Sequence, residues 1–144
     1  MVSPPQSIFA KRENRLETFA SVLACVTQQR DCDKLIFEAA RLTAPNGTLE
    51  VLHVSERAFN FFENIREGEA LEYLFATAKS VGAELTIING VQAPETVAQF
   101  AEHRQPDCIV IGQSHTDGNR RFSERLSELL LDSDIRILTL PVTE

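Results

Sequence analysis

Five short apolar runs, separated by segments with helical spacing, leave few folds open to this chain. Positions 19–26 (FASVLACV), 48–54 (TLEVLHV), 84–89 (ELTIIN), 107–112 (DCIVIG) and 134–140 (DIRILTL) have the length and composition of buried strands. Between the first two, Leu35, Ile36, Ala39, Ala40 and Leu42 recur at helical spacing behind an N-cap offered by Asp31-Cys32-Asp33, with Asn46-Gly47 as the closing turn. The strongest helical pattern runs over 67–81, with Leu71, Leu74, Phe75, Ala78 and Val81 on one side and Gly82 placed for a C-terminal cap. Pro94 opens a third helix and Pro106 stops it. A fourth, read as starting near Ser123, carries Leu126, Leu129 and Leu130. Strand and helix in strict alternation predict an α/β fold, a doubly wound five-stranded parallel sheet with helices on both faces and right-handed crossovers.

Composition closes off several functions. The formal charge of −7 disfavours binding to nucleic acid or to an anionic membrane surface, which requires clustered Lys and Arg. No apolar run approaches the roughly 18–20 residues of a membrane span. The N-terminal MVSPPQS does not resemble a secretory signal. Cys25, Cys32 and Cys108 form no close pair, which fits a reducing compartment and a cytoplasmic protein. No CxxC, HExxH, GxSxG or GxxxxGK[ST] occurs. Accordingly, no catalytic residue and no metal site is assigned, and the residues present disfavour an enzyme. Positions 1–17, with Pro4-Pro5 and mixed charges, read as an arm or linker with a short helix around 11–17, and 18–144 as one domain.

Doubly wound sheets bind ligands beyond the carboxyl ends of their strands, where strand order reverses. That rule selects Thr27-Gln28-Gln29 after the first run, with Val26 at its end, Val54-Ser55 at the end of the second, and the stretch from Gly112 after the fourth. Ser114, His115, Gly118 and Arg120 lie in that stretch, and Ser123 marks the start of the next helix. Hydroxyls, a cation and free helix N–H groups together suit a phosphate; a plain solvated loop is the alternative. Cys25, Cys108 and His53 read as packed interior residues, and Phe59, Phe61 and Phe62 as packing or covering side chains.

The runs VLACVT, LEVLHV, AKSVGAE, DCIVIGQSH and RILTLP, in that order over roughly 19–141, resemble the universal stress protein superfamily. The stretch GQSHTDGNRRFSERLSELLL is similar to the universal-stress-like domain of potassium-uptake sensor histidine kinases. The resemblance implies strand order 3-2-1-4-5 and a regulatory stress-response module binding ATP or another adenine nucleotide. A non-nucleotide-binding dimeric interaction protein is the alternative. By the same resemblance Val54 matches the valine on the adenine side and Gly112 the first glycine of the phosphate loop. Thr27 stands where nucleotide-binding members carry Asp, and His115 where they carry a second Gly. The last Gly is missing near Ser123, although the hydroxyl is kept. Family members commonly dimerise through the fifth strand. Here that run offers Ile135, Ile137, Leu138 and Leu140 with Arg136 as its interior charge, so a homodimer through that edge is expected.

Overall fold

The computed structural model describes residues 17–26, 32–55, 65–90, 92–113 and 117–141. Their elements alternate as expected: β1 (Phe19–Val26), α1 (Cys32–Arg41), β2 (Thr43–Ser55), α2 (Ile65–Ser80), β3 (Glu84–Asn89), α3 (Ala93–Arg104), β4 (Cys108–Gln113), α4 (Asp117–Leu129) and β5 (Arg136–Pro141). All four strand pairings are parallel and the order is β3-β2-β1-β4-β5.

The apolar runs lack polar alternation because the central strands are covered on both faces. Along β1, Val22, Ala24 and Val26 join Leu35, Ile36 and Ala39 of α1 and Leu74 and Ala78 of α2 in one core layer. Leu23 and Cys25 point the other way, into a layer with Val97, Ala98 and Ala101 of α3 and Leu126 of α4. Thus α1 and α2 cover one face, α3 and α4 the other. The α1–α2 seam carries a hydrogen bond from the Tyr73 hydroxyl to Asp33 Oδ2, 3.0 Å. Arg125 of α4 reaches Glu95 of α3 at 2.9 Å.

Helix ends follow local chemistry. Gly82 takes φ +74 after α2, with Ala83 N–H donating to Ala78 O and Gly82 N–H to Lys79 O. This is the six-to-one and five-to-two pattern of a Schellman cap, as Gly82 led us to expect. Pro94 sits in the first turn of α3. That helix closes on Gln105 in the left-handed region, φ 53, with its N–H on Ala101 O.

Two boundaries differ from expectation by more than two residues. Asn46-Gly47 does not close α1, which ends at Arg41; the dipeptide lies inside β2, which starts at Thr43. Phe19 pairs with Thr43 but Ser21 with Thr48, so β2 advances five residues while β1 advances two. The surplus is a bulge, and Asn-Gly is as compatible with a bulge as with a turn. Helix α4 starts at Asp117, six residues before Ser123, so the polar stretch after β4 is partly helical. The arm at 1–16 and Phe59, Phe61 and Phe62 lie outside the described residues.

Candidate functional site at the carboxyl ends of the strands

The switch in winding direction falls between β1 and β4. Helix α1, which follows β1, packs on one face of the sheet, and α4, which follows β4, on the other. Connections that leave neighbouring strands in opposite directions open a crevice at the carboxyl ends. Strand register fixes what lines it. Cys25 of β1 is level with Ile111 of β4, so Val26 and Gly112 are the next residues of the two strands on the carboxyl side. Val26 pairs with His53 of β2, and Val54 is one residue further. The structure therefore brings Val26, Val54 and Gly112 to one end of three adjacent strands, with Val54 and Gly112 about 10 Å apart at the usual strand spacing. Val26 is buried, and Val54 and Gly112 are half-buried.

Thr27, Ser114 and His115 lie outside the described residues. Gly118 and Arg120 fall in the first turn of α4, whose opening residues are Asp117-Gly118-Asn119-Arg120. The free N–H groups of a helix belong to its first turn. They therefore sit at 117–120, and Ser123, half-buried, is about 9 Å along the axis from Asp117. This removes Ser123 from the helix start where the sequence had placed it.

A residue read from the sequence as interior proves to be part of this end of the sheet. His53 is 2% exposed and its Nδ1 lies 3.2 Å from the carbonyl oxygen of Val26, the last residue of β1. A carbonyl accepts, so Nδ1 carries a proton and, in the neutral ring, Nε2 is left as an acceptor. Nε2 is buried and has no hydrogen-bond partner among the described residues. The signal was present in the pattern LEVLHV, where His53 shares the parity of buried Leu49 and Val51. A polar ring on an inward-facing position is a polar group that needs a partner.

The thiol beside Val26 is chemically quiet. Burial pushes Cys25 up to about 12. Cys108 rises to about 11, chiefly through burial, with Arg136 opposing and Glu17 and Asp107 adding to the rise. Neither supplies a thiolate near neutral pH. Among the described residues no group of three or more His, Cys, Asp or Glu side chains is arranged to hold a metal ion, and no described helix is long and apolar enough to cross a membrane.

Comparison with known proteins places this architecture. No family model and no curated protein matches the sequence. Solved structures do. A universal stress protein in complex with cAMP is 16% identical, with a TM-score of 0.61 over 86% of this chain and 98% of that one. The universal stress protein of Archaeoglobus fulgidus in complex with dAMP is 18% identical, TM-score 0.56, over 84% and 97%. A universal stress protein family member of Arabidopsis thaliana with AMP bound is 15% identical, TM-score 0.54, over 85% and 92%. At these identities the likeness is one of fold, and the fold is that of the universal stress proteins, with the strand order the sequence resemblance implied.

Proposed function

We propose that this chain is a regulatory module of the universal stress type that binds an adenine nucleotide across the carboxyl ends of β1, β2 and β4. The observation that carries the reading is the convergence of Val26, Val54 and Gly112 at the winding switch. Support comes from the cAMP, dAMP and AMP complexes of proteins with this fold. In this reading the base lies toward Val54 and the phosphate toward Gly112, Ser114, His115 and the first turn of α4. There Gly118 admits close backbone approach and Arg120 supplies charge. Thr27 offers a hydroxyl to the ribose. No step of bond making or breaking is assigned.

The test is calorimetric titration of the chain and of two variants with AMP and ATP. Arg120→Ala and Ser114→Ala each remove a phosphate contact, and a charge-assisted hydrogen bond is worth about 1.5–3 kcal/mol, or roughly 10- to 100-fold in Kd. Parent-like titrations for both variants would move the phosphate elsewhere.

A second reading rests on a separate observation. Strand β5 is a sheet edge, with Leu138 and Leu140 only partly covered by the α1–α2 core layer. We propose that two copies pair through this edge, which a two-fold axis makes self-complementary. At the start of the strand Arg136 is already engaged by Glu17 at 2.7 Å and stacks on Phe19 at 5.3 Å. Pro141, at its end, has no N–H. Pairing therefore has the strand short of Pro141, Arg136 to Leu140, to use. If nucleotide titrations are flat, the module acts through this contact alone.

A further inference from the structure

We infer that His53 is a specificity-determining residue of the proposed nucleotide site, with its Nε2 accepting a hydrogen bond from an N–H or O–H of the nucleoside. The inference rests on the nucleotide reading above and deepens it.

The argument starts from an unbalanced hydrogen-bond inventory. An imidazole has two ring nitrogens and needs two partners when buried. One is accounted for by Nδ1 and the Val26 carbonyl. In the neutral ring that bond fixes the tautomer and leaves the second nitrogen a lone pair that only a donor can satisfy. Yet Nε2 is buried without one among the described residues. Buried polar atoms in folded proteins are almost always partnered, so such an atom points to a ligand or an ordered water. The neighbours in register are apolar. Val26 flanks His53 on β1 and Ile87 on β3. Position then distinguishes His53 from an ordinary core histidine. It is level with the last residue of β1, on the strand that ends at Val54 and Ser55, at the end of the sheet where a ligand would rest. Nucleosides carry donors of two kinds, the exocyclic amine of the base and the ribose hydroxyls, and either satisfies Nε2. The same ring, through Nδ1, holds the carbonyl from which the chain leaves β1, so His53 also positions that strand end.

The two roles separate in variants. In His53→Asn the side-chain amide can still donate to Val26 O but does not reach the Nε2 position. In His53→Gln the amide reaches it and its oxygen accepts. The accompanying direct readout is the ring nitrogen-15 spectrum of the intact chain, with His53 assigned by the signal lost in His53→Gln.

On saturation with AMP, the Nε2 resonance of His53 is expected to shift toward the hydrogen-bonded position. AMP affinity should fall about tenfold in His53→Asn, the scale of one lost hydrogen bond, and recover in His53→Gln. IMP in place of AMP tests the base amine, and dAMP tests the 2′-hydroxyl. The analogue lacking the relevant donor should bind about tenfold more weakly to the parent and no more weakly to His53→Asn. If AMP binds and moves other resonances while Nε2 stays in place, the inference is overturned and the nucleotide reading survives; Nε2 then faces water. Equal affinities for the parent, His53→Asn and His53→Gln overturn it in the same way. If AMP moves no resonance at all, both readings fall together.

Discussion

Replacing Gly47 with alanine should destabilise the domain through a contact that the sequence alone does not reveal. The bulge in β2 presses Gly47 against β1, so that an added Cβ would stand 2.6 Å from the carbonyl oxygen of Ala20 and 3.2 Å from that of Ala44. Ordinary contact begins near 3.4 Å. Backbone must therefore retreat by several tenths of an ångström, and both obstructing atoms are backbone rather than mobile side-chain ends. Forced repacking of this kind costs about 1–3 kcal/mol. For a domain of this size 1 kcal/mol corresponds to roughly 3–4 °C, so Tm should drop by about 3–12 °C in circular-dichroism melts. Gly82→Ala is the natural comparison, because its Cβ would meet nothing within 4 Å and the whole cost is that of φ +74. Left-handed backbone costs an alanine about 1–2 kcal/mol. Gly82→Asn should recover part of that loss, since Asn tolerates the left-handed region, whereas Gly47→Asn should not. A Gly47→Ala protein as stable as the parent would refute the close approach of the bulge to β1.

Three further outcomes are expected. Glu50 places Oε2 in the interior with Arg104, 3.4 Å away, as its ion partner, and Arg104 also stacks on Phe100 at 4.9 Å. Arg104→Ala should cost about 1–3 kcal/mol in urea melts by stranding the carboxylate, while Glu50→Gln should stay within about 1 kcal/mol; equal costs would contradict this asymmetry. Cys25, raised from 9.0 to about 12, holds its proton more tightly folded than unfolded. Its contribution to stability is whole below about pH 9 and is lost as pH rises toward 12, and Cys25→Ala should flatten that alkaline decline; a parent with no decline before pH 12 would count against it. Leu138→Lys should convert a light-scattering dimer to a monomer, and a monomeric parent or a dimeric variant would reject the β5 interface.

Much of the fold was legible because burial on both faces writes a strand as an unbroken apolar run. FASVLACV and DCIVIG gave the central strands within a residue of their observed bounds, and Gly82, Pro94 and Pro106 punctuated the helices as their backbone preferences dictate. The misread boundaries share a cause. Asn-Gly satisfies positive-φ or close-approach positions wherever they occur, and only the β1–β2 register reveals a bulge rather than a turn. DGNRRF looks like a loop because Gly and Asn are weak helix formers, yet α4 includes it. Of the site, Val26, Val54 and Gly112 followed from the rule that ligands gather at a winding switch. His53 did not, because a lone histidine in an apolar strand looks satisfied until its second nitrogen is counted.

Amide chemical-shift mapping of the labelled chain during an AMP titration tests the central claim most directly. Binding across the winding switch predicts perturbations clustered at Val26, Val54, Gly112 and the first turn of α4, with the opposite end of the sheet, around Leu42, Gly82 and Asp107, unchanged. Perturbations centred on that opposite end, or a spectrum that AMP leaves unaltered at saturating concentration, would contradict it.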